Sequence, residues 1–250
     1  MIRAFLTTAM MLIIAQFSFA EQKSFVDGVE LILPGQFHGG EIASESSDNW
    51  FGLYKIDNEY RLTKTSIFVN ACYDGCAGDT SGICVTVGTT EKPLFLVHGL
   101  DNLKEGAIKS ADINKEFLYP GQSTWPKEIK GKASPYTLLA IGEATIYEES
   151  HGKLYIRHPG DMLFLNYKLI LKYSIAKTAT YQEIAAYDRL GLAGTPEVLW
   201  AGDIDRDGKL DFFMNLAHDY YYIQYVLFLS SMAEDGEILK KVAELTAGSC

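Results

Sequence analysis

From Leu163 to Ile175 the chain reads LFLNYKLILKYSI, in which Leu165, Tyr167, Leu169, Leu171 and Tyr173 share one parity and Asn166, Lys168 and Lys172 the other. A period of two over this length predicts a strand with one buried and one wet face. Runs of similar character recur as GVELIL, FGLYKI, YRLTKTSIFV, ICVTVG, PLFLVHG, YTLLAIGEATIY, KLYIRH, EVLWAG, LDFFMNL and YYIQYVLFLSS. Turn signals separate them at Asp57-Asn58, Asn102, Pro120-Gly121, Ser150-His151-Gly152, Pro159-Gly160 and Asp235-Gly236.

Helical signals are few. TYQEIAAYDRLG fits a short helix ending at Gly191 and equally a strand, and EILKKVAELTA reads as the returning strand of a hairpin with YVLFLSS across a turn at Glu234 to Gly236. The pattern therefore predicts an antiparallel all-β domain with little helix, either a sandwich or a partly closed barrel. The 15 tyrosines and 13 phenylalanines suit pleated sheets before they imply any ligand. In DYYYIQYVLFL, packing Tyr221, Ile223, Tyr225 and Leu227 inward turns Tyr220, Tyr222 and Gln224 outward as a carbohydrate platform. Val226 and Phe228 favour the alternative, in which a second sheet covers both faces. Trp50, Trp125 and Trp200 read as core or loop anchors rather than a sugar-binding triad.

One stretch departs from strand chemistry. WAGDIDRDGKLD carries Asp203, Asp205 and Asp207 at alternate positions, then Gly208, Lys209 and Asp211. Short carboxylates at alternate positions of a tight loop converge on a point, and a calcium ion wants six to eight oxygens there. Gly208 permits the chain reversal, and Ile204 and Arg206 point away from the ion. Without a cation the carboxylates repel one another, although Asp and Gly also favour turns that bind nothing. An EF-hand opens with this spacing but closes on a Glu at its twelfth position, where this chain has Met214, and its flanks are helical. GDIDRDGKLDFF instead resembles the calcium loop of FG-GAP or VCBS-type repeats, the strand-loop-strand hairpins of integrin-like β-propellers. That resemblance implies side-chain ligation by Asp203, Asp205, Asp207 and Asp211 and carbonyl ligation by Lys209. It covers roughly 198–214, and no second DxDxDG is present, so the expectation is one calcium hairpin within a single β-domain.

The N-terminus MIRAFLTTAMMLIIAQFSFA has one charge, Arg3, a short apolar run, and Ser18 and Ala20 ahead of Glu21. This predicts a secretory signal over 1–20 and a mature β-rich domain over 21–250 with no membrane span. Export makes Cys72, Cys76, Cys84 and Cys250 disulfide cysteines rather than zinc ligands, with one bridge inside 72–84 and one from that segment to Cys250. The formal net charge is −10, or −11 without residues 1–20, and no basic cluster interrupts it. A nucleic-acid partner is therefore not expected.

The familiar catalytic signatures G-x-S-x-G, H-E-x-x-H, G-x-x-x-x-G-K-[ST] and G-x-G-x-x-G are absent, and His38, His98, His151, His158 and His218 show no ligand spacing. Glu143, Glu148, Glu149 and Asp188 are carboxylates available to a glycoside hydrolase, with nothing in their spacing to pair them. The layout, with WFGLY early and LFLSS late before a terminal cysteine, resembles uncharacterised bacterial secreted proteins. The expected function is an exported, non-catalytic protein, periplasmic or extracellular, with a structural calcium site and a protein or carbohydrate partner. An exported calcium-stabilised hydrolase acting on glycans is the alternative.

Overall fold

In a computed structural model of the chain, residues 23–248 are described except for 114–116, 127–133, 146, 151–152, 157–161, 192–193, 195 and 220. The signal over 1–20, His151, His158, Tyr220 and Cys250 lie outside them. Strands and turns account for the described fold, with no helix. The strands are β1 (Lys23–Ser24), β2 (Glu30–Ile32), β3 (Gly35–Phe37), β4 (Ser47–Ile56), β5 (Glu59–Asp74), β6 (Asp79–Val87), β7 (Phe95–His98), β8 (Gly106–Ile108) and β9 (Ser123–Thr124). They continue with β10 (Tyr136–Thr145), β11 (Tyr147–Ser150), β12 (Lys153–Ile156), β13 (Leu163–Ile175), β14 (Thr178–Gly191), β15 (Glu197–Gly202), β16 (Asp211–Asn215), β17 (Tyr222–Leu229) and β18 (Lys240–Gly248). All pairings are antiparallel.

Three of the four described sheets stack as layers, the fourth being the two-stranded pair β11-β12. A five-stranded sheet ordered β1-β18-β17-β16-β15 lies in the middle. On one face Trp200, Phe213, Leu227, Leu229 and Leu245 pack with Leu53, Leu62, Phe95 and Val97 of the seven-stranded sheet that contains β2 to β8. On the other face Val198, Phe212, Met214, Val226 and Phe228 pack with Leu138, Phe164, Tyr167 and Leu171 of the sheet ordered β14-β13-β10-β9. Burial on both sides explains why Phe212 to Met214 and YVLFL are continuously apolar where a half-wet strand would alternate. A bulge between Val198 and Trp200 lets these two residues of equal parity serve opposite layers.

The period-two reading of 163–175 holds from Tyr167 to Tyr173, but Asn166 adopts a φ of 51°. Upstream of this irregularity Phe164 takes the core position and Leu165, expected inward, is only half-buried. TYQEIAAYDRLG is a strand, β14, with Ile184 left unpaired in its ladder with β13. The hairpin predicted for the C-terminal part is formed by β17 and β18. Trp50 and Trp200 are core residues, whereas Trp125 is exposed. Cys72 and Cys84 bridge neighbouring strands β5 and β6, and Cys76 is disulfide-bonded as well.

Candidate metal centre

The acidic stretch is the loop joining β15 to β16, closed by the facing pair Gly202 and Asp211. The backbone reverses through Arg206 at φ 65° and Gly208 at φ 89°, a region that favours glycine. Arg206 is held there by donating to the Glu105 carbonyl at 3.0 Å. Gly202 is required at the loop's base for space. A Cβ there would lie 2.3 Å from the Trp200 ring and 2.7 Å from the Lys109 carbonyl, because residues 109–111 run along the outer edge of β15.

Asp203, Asp205 and Asp211 each present a carboxylate oxygen within 4.8 Å of the others. Asp211 is fully buried and accepts from Ile204 N at 2.9 Å, Ser230 N at 2.8 Å and Ser230 Oγ at 3.0 Å. Asp203, 8% exposed, accepts from Gly208 N at 3.1 Å through Oδ2, while its buried Oδ1 has no hydrogen-bond partner. Asp207 stands at the rim, accepting from Lys209 N at 2.7 Å and sharing with Asp211 the one proton of the Ser230 hydroxyl, whose Oγ is 3.1 Å away. The Lys209 side chain is exposed. Ile204 is buried in the core and Arg206 faces outward, so the residues between the aspartates do turn away.

Electrostatics make the same point. Burial pushes the Asp211 carboxyl well above the usual carboxylate range, and the Asp205 charge adds to it against the opposing bonds from Ser230 and Ile204. Burial also raises Asp203, reinforced by Asp207 and Asp205. A set of buried carboxylates, one with an orphaned oxygen, is short of positive charge and of donors. A hard divalent cation supplies the charge and takes oxygen ligands, so the residues present could hold such an ion.

Two participants escape a reading of the loop alone. Ser230 and Ser231 reach it from the end of β17, with Ser231 Oγ donating to Asp205 Oδ2. Beside them opens a cleft of about 540 Å³ whose walls include Tyr136, Tyr173, Asp207 and Glu237. Leu210 N donates to Tyr136 Oη at 3.3 Å, and burial pushes that phenol far up.

The other candidates separate. His38 Nδ1 lies 2.7 Å from Asp74 Oδ2 beside Cys76, but a disulfide-bonded sulfur is no thiolate ligand. His98 packs against Trp50 at 5.5 Å between ring centroids, and His218 bonds Tyr222 Oη. Tyr221, expected inward in DYYYIQYVLFL, is 62% exposed, whereas Val226 to Leu229 are covered on both faces. Glu143 and Asp188 are exposed; Glu148 and Glu149 have no described side chains. No family model, curated protein or solved structure matches the chain, so the chemistry of the loop rests on its own geometry.

Proposed function

We propose that this is an exported, non-catalytic β-protein in which a calcium ion held by the 203–211 loop locks β15, β16 and β17 together, serving a binding or envelope-associated role. The observation that carries the reading is the convergence of Asp203, Asp205 and Asp211, together with the buried Asp203 Oδ1 that has no hydrogen-bond partner. The likeness of GDIDRDGKLDFF to FG-GAP-type loops supports it, with Asp207 and the Lys209 carbonyl as further ligands. Disulfide-bonded cysteines are compatible with export. Among the described residues the carboxyls pushed upward, Asp203 and Asp211, both belong to this loop, where a cation would claim them. That favours a structural ion over the glycan hydrolase. β14 ends its sheet, and no described strand pairs with its outer edge, where an extended segment of a partner would add.

The test is thermal unfolding under non-reducing conditions with calcium, with magnesium and with excess chelator. A calcium-specific rise in Tm is expected, since a ligand bound only by the folded state stabilises it by mass action. Equal Tm values in calcium and chelator would leave the loop an acidic turn.

A further inference from the structure

We propose that Ser230 and Ser231 belong to the cation site, and that its occupancy sets the conformation of the turn between β17 and β18. The inference rests on the calcium reading above and extends it to residues outside the loop.

The two hydroxyls stand at the carboxylates that would hold the ion. Ser231 Oγ donates to Asp205, and Ser230 Oγ lies 3.0 Å from Asp211 Oδ1 and 3.1 Å from Asp207 Oδ2. Their roles differ by burial. Ser230 is 3% exposed and also donates its backbone N–H to Asp211, so it positions that carboxylate and stays a donor. Ser231 is exposed, and its hydroxyl is the group that donates to Asp205. A hydroxyl has one proton and two lone pairs. With a cation at Asp205, the Ser231 proton turns away and the oxygen faces the ion, adding a neutral ligand to a set that calcium fills with six to eight oxygens.

The consequence runs along the chain. The turn that begins at Ser230 ends under Gln182 of β14, whose Oε1 accepts from Ile238 N at 2.7 Å and Leu239 N at 2.9 Å and whose Nε2 donates to the Leu239 carbonyl at 2.7 Å. Its far end is thus clamped, and its near end hangs on Asp205, Asp207 and Asp211. Residues Ala233 to Ile238 between these anchors form one wall of the 540 Å³ cleft. A change at the carboxylates is transmitted to that wall by a short tether fixed at both ends.

The experiment is calorimetric calcium titration of the full chain, paired with hydrogen exchange over 230–239 with and without calcium. Wild type is expected to bind calcium and gain protection in this turn. Ser231→Ala is expected to weaken binding about tenfold, as the loss of a supporting partner at a metal site does, and to lose the calcium-dependent protection, with Ser231→Thr restoring both. Binding that Asp205→Ala abolishes while Ser231→Ala leaves it and the protection intact overturns this proposal alone. No calcium binding by the wild-type chain overturns it together with the calcium reading.

Discussion

The Ile204 amide donates to Asp211 Oδ2 at 2.9 Å, closing the acidic loop from within the core. Asp211 therefore has a task that needs no ion, since it also satisfies the buried Ser230 amide. Asp211→Ala leaves these donors unpaired, and at 1–3 kcal/mol for each buried unsatisfied group it is expected to destabilise the protein by about 3 kcal/mol even in chelator. Chemical denaturation in chelator checks this.

Asp205 and Asp207 are more exposed and bind chiefly within the loop and to the two serines. The double substitution Asp205→Ala with Asp207→Ala is expected to lower Tm mainly in calcium-containing buffer. An equal loss in calcium and in chelator would assign these residues to the turn rather than to an ion.

Gly202→Ala places a methyl against the Lys109 carbonyl and the Trp200 ring. Overpacking of this kind costs about 1–3 kcal/mol. The variant is expected to unfold earlier in denaturant, with altered fluorescence from the otherwise fully buried Trp200.

His38 and Asp74 titrate against each other. The hydrogen bond with Asp74 raises His38 above its ordinary value of 6.5, and the bond to His38 lowers Asp74 below 3.8. The raised histidine stabilises the fold at pH below 6.5 and loses that contribution as pH rises through its folded pKa. The lowered carboxyl stabilises above 3.8 and loses its contribution as pH falls through its own folded value. The pair thus contributes most between about pH 4 and 6.5. His38→Gln is expected to flatten the dependence of Tm on pH on the alkaline side of that window, as pH-resolved thermal melts would read.

The Cys72–Cys84 bridge closes a loop with a sequence separation of 12. In the chain-entropy account a loop of this size is worth about 3 kcal/mol. The double variant Cys72→Ala with Cys84→Ala is expected to lose about that much in equilibrium denaturation.

Legibility in the sequence followed the range of the interactions. The aspartates were readable because all of them come from one nine-residue stretch, and β13 because Tyr167, Leu169, Leu171 and Tyr173 share one parity with Lys168 and Lys172 on the other. β14 was ambiguous because the unpaired Ile184 shifts its parity midway, which spreads apolar residues in a way that a helix also would. Ser230 lies nineteen residues from Asp211 and meets it only because β16 and β17 pair. His38 and Asp74 lie thirty-six apart and carry no spacing that links them. The Asn166 irregularity was hidden because asparagine reads as an ordinary outward residue in an alternating run.

Phe212 to Met214 of β16 and Val226 to Leu229 of β17 have no wet side, and this leaves a signature in how the chain tolerates change. Along β13 a scan of charged substitutions should alternate between harm and indifference, since Lys168 is already exposed between buried neighbours. From Phe212 to Met214 and from Val226 to Leu229 every position is buried, so the same scan should give unbroken blocks of intolerance. Outer strands such as β13 should instead tolerate charge at every exposed position, so the two kinds of strand are told apart by the spacing of the intolerant sites.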